Sequence, residues 1–350
     1  MSLIRKIVFY PFAIVFNFLT SIRNFFFDVG ILKEQTYDYL SIGVGNISLG
    51  GTGKSVLVSY LVEILNDKFT INVLSRGYGR KSKGFLYVTK NSCVNDVGDE
   101  PLQIVQKFPE IIVAVSESRN FGIKKLINKN CDLIILDDAY QHRSVNPGLS
   151  VLVSSYNNLF INDYLLPYGN LRESKNNYSR ADIIVVSKAP YPLLSSDKLK
   201  VKKQISPLFN QKLFYSYLNY NDPVGLFSNS YLSLNNKNII LITAIASSDP
   251  LINYVISKAT IIKHFRFRDH YKFKKNDIKK IIKYYKEIDL QETLILTTEK
   301  DATRLVNFES YFIGISVAYL PVEFKFYPKS NFNKLILNYV EQNRIHSKLS

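Results

Sequence analysis

An α/β fold, a parallel sheet with flanking helices, is predicted by three observations. Short apolar runs alternate with stretches of helical periodicity along most of the chain, the pattern that places parallel strands beside right-handed crossovers. The stretch from Tyr39 to Leu65, YLSIGVGNISLGGTGKSVLVSYLVEIL, joins a buried strand to a helix through a glycine turn ending in Lys54 and Ser55. Polar motifs follow directly after the apolar runs, where the carboxyl ends of parallel strands hold ligands. Together these specify a P-loop NTPase-type sheet, with a second, smaller α/β domain after it and a helix before it.

The first element is that helix. Residues 7–22 read IVFYPFAIVFNFLTSI between Arg5-Lys6 and Arg23. A spanning helix needs about 20 apolar residues, and this run is shorter and interrupted by Pro11 and Asn17. Phe25, Phe26 and Phe27 add aromatic surface. The preferred reading for residues 1–30 is a membrane-interfacial helix, basic at both ends; a helix docked on the protein's own core is the alternative.

The next is the strand from Leu40 to Val44 and the turn carrying Gly45, Gly50, Gly51 and Gly53, before Leu57, Leu61, Ile64 and Leu65 recur at helical spacing. Glycines let successive backbone N–H groups converge, and the helix N-terminus adds partial positive charge. Gly50, Gly51, Thr52 and Gly53 would cradle phosphate, with Lys54 on its β- and γ-groups and the Ser55 hydroxyl on Mg²⁺. Ser48 stands where the strict motif has its first glycine, so the loop is a variant.

Strands follow at Thr70 to Leu74, Ile111 to Val115, Asp132 to Leu136, Val151 to Ser154 and Ile183 to Val186. Pro190 to Phe227 breaks the rhythm with three further prolines and a run of lysines, which reads as a domain boundary. The P-loop sheet is therefore assigned to 31–205 and the second domain to 225–325, closing over the nucleotide. The second domain holds strands Ile239 to Ile242, Ile261 to Phe265 and Thr293 to Leu296, with helices near Pro250 to Lys258 and Lys275 to Tyr285. The last helix, Asn333 to Asn343 within 330–350, is expected to pack back on the first domain.

Composition narrows the function. With 46% hydrophobic residues the chain of 350 can bury substantial cores, which excludes a disordered protein. Its net charge of +16 points to an anionic partner. Cys93 and Cys131 form no redox or metal spacing, and four scattered histidines exclude a His-based metal site.

Among the motifs, Asp137 and Asp138 end an apolar strand, as do the acidic residues that hold Mg²⁺ in P-loop proteins; an Asp capping the next element is the alternative. In GDEP, Asp99 is either a general base or a helix-start residue ahead of Pro101, and the residues alone favour the second reading. Arg76 and Arg80 suit bidentate phosphate contact and surface exposure equally, and Arg143 is open in the same way. Asp269-His270 is a carboxylate–imidazole pair in a basic stretch, FRFRDHY, and LTTEKDATRL begins at another strand end. A GTPase or ATPase switch is the rival reading, but Ser187-Lys188-Ala189-Pro190 lacks the Asp that reads guanine. A nucleic-acid binder is disfavoured because no binding motif accompanies the charge.

Taken together VGNISLGGTGKS, LSRGYGR, GDEP, LDDAYQHR, LPYGNLRE, FRFRDHY and TTEKDA, in this order over residues 42–302, resemble the tetraacyldisaccharide 4'-kinase family of lipid A biosynthesis. The resemblance implies ATP and Mg²⁺ as cofactors and phosphorylation of the 4'-hydroxyl of an acylated glucosamine disaccharide 1-phosphate, giving the 1,4'-bisphosphate. It implies Asp99 as base paired with His270, Lys54 on phosphate, Arg172 helping to neutralise it, and Asp137, Asp138 and Glu173 organising Mg²⁺ with Ser55. It further implies a monomer at the cytoplasmic face of the inner membrane, with a lipid substrate and no nucleic acid.

Overall fold

The computed structural model describes residues 3–347 except 130, 229, 289–291 and 329. A long helix, α1 (Leu3–Asp28), precedes β1 (Ser41–Gly45), α2 (Lys54–Leu65), β2 (Ile71–Ser75) and β3 (Leu86–Val88). Then come α3 (Val94–Val97), α4 (Asp99–Lys107), β4 (Ile112–Val115), α5 (Arg119–Ile127), β5 (Leu133–Asp137), β6 (Leu149–Ser155), β7 (Ile183–Ser187), α6 (Ser195–Ile205) and β8 (Lys212–Tyr220). The second unit carries β9 (Val224–Gly225), β10 (Asn238–Thr243), α7 (Asp249–Ile256), β11 (Thr260–Arg266), α8 (Lys275–Glu287), β12 (Thr293–Thr298), α9 (Glu299–Leu305) and β13 (Val317–Leu320). The chain ends with β14 (Val322–Phe326) and α10 (Phe332–Ser347).

Among the described residues two sheets form. The larger has the order β14-β8-β7-β6-β1-β5-β2-β4-β3, and the smaller β11-β10-β12-β13-β9. In the larger sheet, β1 runs parallel to both β5 and β6, so the glycine loop leaves the sheet at its middle, where the strand order reverses. Strands β1, β2, β5 and β7 are buried along their whole length, which is why they read as continuous apolar runs rather than alternating ones. Leu57, Leu61 and Leu65 of α2 pack on that sheet with Ile42, Val44, Ile135 and Val151. The smaller sheet has its own core of Ile240, Ile242, Ile278, Ile281 and Ile295.

The predicted strands all form, and α10 packs on the large sheet through Phe332, Ile336 and Val340, all fully buried. Phe332 stacks on Phe326 with centroids 3.8 Å apart. The boundary segment differs from the expectation. Within Pro190 to Phe227 the chain makes α6 and then the nine-residue strand β8, parallel to β7. Its residues, KLFYSYLNY, are mostly half-buried on both faces, so the apolar alternation that announces a strand is weak. β14 pairs antiparallel with β8, so the large sheet also takes back residues assigned to the second domain.

The chain therefore crosses between sheets twice, at Asn221–Pro223 and at Pro321. The crossings touch: the Asn221 N–H donates to Pro321 O at 3.1 Å, and its side-chain amide to Glu323 Oε1 at 2.5 Å.

No helix among the described residues is long and apolar enough to cross a membrane. α1 lies on the protein by one side. Ala13 and Asn24 are buried, whereas Phe12, Val15, Phe18, Leu19 and Phe25 are each more than half exposed. Its C-terminal end is fastened by Arg143, which reaches Asp28 at 2.7 Å, Glu34 at 2.6 Å and the Asn24 carbonyl at 2.9 Å. Arg143, open between phosphate contact and exposure in the sequence, does neither; its side chain is buried as the anchor of this helix.

Candidate active site

The glycine loop is braced from inside. Asn46, at the end of β1, donates to Ser48 O at 2.7 Å and to Thr52 Oγ1 at 2.9 Å. Its Oδ1 accepts from Lys54 Nζ at 2.8 Å. Gly53 precedes α2 with φ 89°, a left-handed conformation that disfavours any side chain, and a Cβ there would sit 3.5 Å from the Phe324 ring. Ser187 Oγ donates to Thr52 O, and Lys188 Nζ to Gly51 O, each at 2.6 Å, so β7 supports the loop carbonyls. Ser48, which takes the place of the first glycine, is buried and bridges to Leu171. That bridge, with Leu49 N–H donating to Asn170 O at 2.7 Å and Arg172 N–H to Ile47 O at 2.8 Å, lays the LPYGNLRE segment along the loop.

Arg172 is thereby brought to the end of β5. Its Nη1 is 3.3 Å from Asp138 Oδ2, and Lys54 Nζ is 2.9 Å from Asp138 Oδ1. Burial pushes the Asp138 carboxyl up, but Lys54 and Arg172 outweigh it and hold the group well below the usual carboxylate range. Asp137 is different. Its Oδ2 accepts from Ser75 Oγ at 2.8 Å, while its Oδ1 is buried without a hydrogen-bond partner. Burial and the nearby Glu100 and Asp138 carboxylates push Asp137 up to about 6. A buried, unpaired carboxylate oxygen among other carboxylates fits a divalent cation. No group of three or more His, Cys, Asp and Glu side chains is arranged to hold one unaided among the described residues.

Glu173 stands apart from this set. Its Oε2 accepts from Arg180 Nη2 and from Asn177 Nδ2, each at 2.7 Å. Asn24 of α1 reaches the same oxygen at 3.4 Å, and Gln141 reaches Oε1 at 3.5 Å. Gln141 also accepts from Arg172 at 3.2 Å and donates to Asn46 O, joining Glu173 to the loop at one remove. Ser55 lies half-buried in the first turn of α2.

The two sheets meet at Asp99. This residue opens α4 and is almost wholly buried. His270 Nδ1, from the turn after β11, lies 2.9 Å from Asp99 Oδ2 and 3.1 Å from Oδ1. Arg304 Nη2 is 3.5 Å away and Lys300 Nζ 3.8 Å away. Burial raises the Asp99 carboxyl; the His270 hydrogen bond and the Lys300 and Arg304 charges lower it further, leaving it ionised well below the usual range. The helix-start reading, favoured by the residues alone, holds in part, since Asp99 Oδ1 accepts from the Glu100 N–H at 3.1 Å, but the same carboxylate also faces the other sheet.

Several site residues carried no signal in the sequence. Asn46 and Arg180 act on near neighbours in the chain, Ser48, Thr52 and Lys54 for the first and Glu173 for the second, whereas Gln141 reaches Asn46 O across the fold. Lys188 lies in a stretch whose sequence speaks only through the Asp missing from it, yet its ammonium supports the loop at Gly51 O. Arg80, open in the sequence, is tied to Glu117 at 2.7 Å and to Gly84 O at 2.6 Å. His142 lies 3.5 Å from Arg76, and burial, Arg119 and Arg76 push its imidazole down to about 4.

This arrangement matches known proteins over its whole length. Residues 5–341 match the family model described as tetraacyldisaccharide-1-P 4'-kinase. The tetraacyldisaccharide 4'-kinase of Flavobacterium johnsoniae is 38% identical, covering 98% of this chain and 99% of that protein. That of Bacteroides thetaiotaomicron is 36% identical over 97% of this chain and 95% of its own. Among solved structures, the crystal structure of "apo" form LpxK from Aquifex aeolicus in complex with ATP superposes with a TM-score of 0.73 at 26% identity, covering 97% of this chain and 100% of that one. The chain belongs to the tetraacyldisaccharide-1-P 4'-kinase family.

Proposed function

We infer that the protein transfers the γ-phosphoryl group of ATP to the 4'-hydroxyl of a tetraacyldisaccharide 1-phosphate, forming the 1,4'-bisphosphate for lipid A biosynthesis. The observation that carries the site assignment is the 2.9 Å contact between Asp99 and His270, which joins residues of both sheets beside the phosphate-binding loop. The Asp99 carboxylate takes the proton of the attacking hydroxyl as the new O–P bond forms and the bond to the ADP leaving oxygen breaks. His270 holds Asp99 in place. Lys54, with the N–H groups of Gly50, Gly51, Thr52 and Gly53, binds the phosphates, and Arg172 offsets their charge. Contact between the sheets excludes water, which limits hydrolysis of ATP.

Mg²⁺ is supported by the unpaired Asp137 Oδ1. Asp137 and Ser55 would hold it, with Asp138 and Glu173 ordering the surroundings, and it would neutralise charge on the phosphates. The exposed apolar side of α1 supports attachment to a membrane surface; that this is the cytoplasmic face of the inner membrane, and that the protein works there as a monomer on a lipid substrate, follows from the family resemblance.

A transfer assay with γ-³²P-ATP, Mg²⁺ and the disaccharide 1-phosphate in detergent micelles tests this reading. Labelled lipid that disappears in Lys54→Ala and Asp99→Ala supports it. Nucleotide hydrolysis without labelled lipid would overturn the choice of acceptor.

A further inference from the structure

Lys300, in the TTEKDA stretch, has no role in the scheme above, yet it lies at the centre of the contact between the sheets. Its Nζ is 2.9 Å from Glu100 Oε1 and 3.3 Å from His270 Nε2. The residue stands in the first turn of α9 directly after β12, and that turn is rigidly held. Asp301 accepts from Thr298 Oγ1 at 2.7 Å, from Ala244 N–H at 2.9 Å and from Arg304 at 2.6 Å.

An ammonium group has three N–H donors and no acceptor. Its approach to His270 Nε2 is a hydrogen bond only when that nitrogen presents a lone pair. On the other side of the ring, Nδ1 faces the ionised Asp99 carboxylate at 2.9 Å, which requires a proton on Nδ1. One form of imidazole satisfies both neighbours, the neutral ring with its hydrogen on Nδ1. We propose that Lys300 is a positioning residue that fixes His270 in this neutral Nδ1–H tautomer, so that the ring donates to Asp99 and does not compete for the proton of the attacking hydroxyl.

The other groups around the ring are consistent with this assignment. From α4 come Asp99 and, through Lys300, Glu100; from α9 come Lys300 and Arg304, the latter 3.5 Å from Asp99. The Tyr78 ring packs on the imidazole with centroids 5.1 Å apart. Asp269, on the same turn, is the one group that would draw a proton to Nε2. Its Oδ2 is 3.8 Å from that nitrogen, beyond hydrogen-bond reach, and its Oδ1 is occupied by the His270 backbone N–H at 3.0 Å. Removing Lys300 would leave Asp269 and Asp99 as carboxylates on both sides of the ring, an arrangement that favours imidazolium.

The inference rests on the Asp99–His270 reading, and the test separates the two. The full-length protein is labelled with ¹⁵N-histidine, and long-range ¹H–¹⁵N correlations are recorded at pH 7.5, with His270→Gln identifying the His270 signals. The parent is expected to show a bare Nε2 and a protonated Nδ1. In Lys300→Met the ring is expected to gain a proton on Nε2 at the same pH, with kcat lowered and KM for ATP unchanged. Lys300→Arg, which again presents only donors, restores the parent ring. A parent ring protonated on Nε2, or a Met variant with the parent's ring state and kcat, would overturn the proposal. If Lys300→Met fails to fold because Glu100 is left buried without its partner, the Glu100→Gln/Lys300→Met double variant takes its place in the same measurements. Full turnover by His270→Gln would dismiss the Asp99–His270 reading, while the ring state would still decide the role of Lys300.

Discussion

Lys54 is paired with Asp138 at 2.9 Å, and the same carboxylate meets Arg172 at 3.3 Å on its other oxygen. One acidic residue at the end of β5 thus sets the position of two cations beside the loop. Lys54→Ala removes a cation at the end of the loop, and its kcat/KM is expected to fall by about 10²–10³, the usual cost of deleting a charge-stabilising donor. Calorimetric titration with ATP and the phosphoryl-transfer assay measure it. A Lys54→Ala enzyme as active as the parent would remove this residue from phosphate binding.

Asp99→Asn keeps the shape of the side chain and abolishes its basicity. Its kcat is expected to drop by about 10²–10⁴, the range for losing a general base, with KM for ATP little changed if the nucleotide is held by the loop as proposed. Steady-state kinetics at saturating acceptor decide the point; a rise in KM alone would assign Asp99 to binding instead.

The same carboxylate makes stability depend on pH with a definite sign. Its folded-state pKa is depressed, so it contributes stability above the unfolded value of about 3.9 and loses it as pH falls towards the folded value. Urea titrations below about pH 4 are expected to show a shallower loss of stability for Asp99→Asn than for the parent. Equal slopes would mean that the His270, Lys300 and Arg304 contacts do not hold the charge.

Glu173 is buried against Arg180 at 2.7 Å. Arg180→Met strands this carboxylate, and the expected cost is about 3 kcal/mol, as for breaking one side of a buried pair. Adding Glu173→Gln should recover much of it, measured by chemical denaturation. If the double variant also keeps its Mg²⁺ dependence, Glu173 acts by ordering α1 and the loop, and the role carried by the resemblance fails.

On α1, Phe12→Asp with Phe18→Asp places charge on the exposed apolar side without touching Arg143 or Asn24. Sedimentation with vesicles containing anionic lipid is expected to fall while ATP affinity stays. Undiminished sedimentation would shift the membrane contact to another surface.

The sequence was most informative where a single stretch carries both the structure and the chemistry. The Tyr39 to Leu65 stretch announced its strand, loop and helix because apolar periodicity and glycine placement are local properties. It was less informative where burial is partial. β8 is half-buried on both faces, so its aromatic and polar residues show no clear alternation, and the prolines around it read as a boundary. Asp99 illustrates a second limit. Its neighbours in sequence describe the start of a helix, but its side-chain partners lie about 170 residues away, and only the resemblance pointed to them. Gln141 is hidden for the same reason, and Asn46, whose partners are close in sequence, because an amide that braces a loop has no spacing rule.

The paired crossings at Asn221 and Pro321 restrict how the halves of the molecule can move. Two separate tethers would permit twist, slide and tilt, whereas tethers bonded to one another behave as the spine of a book. Any movement of the smaller sheet against the larger would then be confined to one arc, with the meeting of His270 and Asp99 as one point on it. The alignment of Asp99 with His270 would then be a matter of kinematics, set by a few residues of spine far along the chain from both.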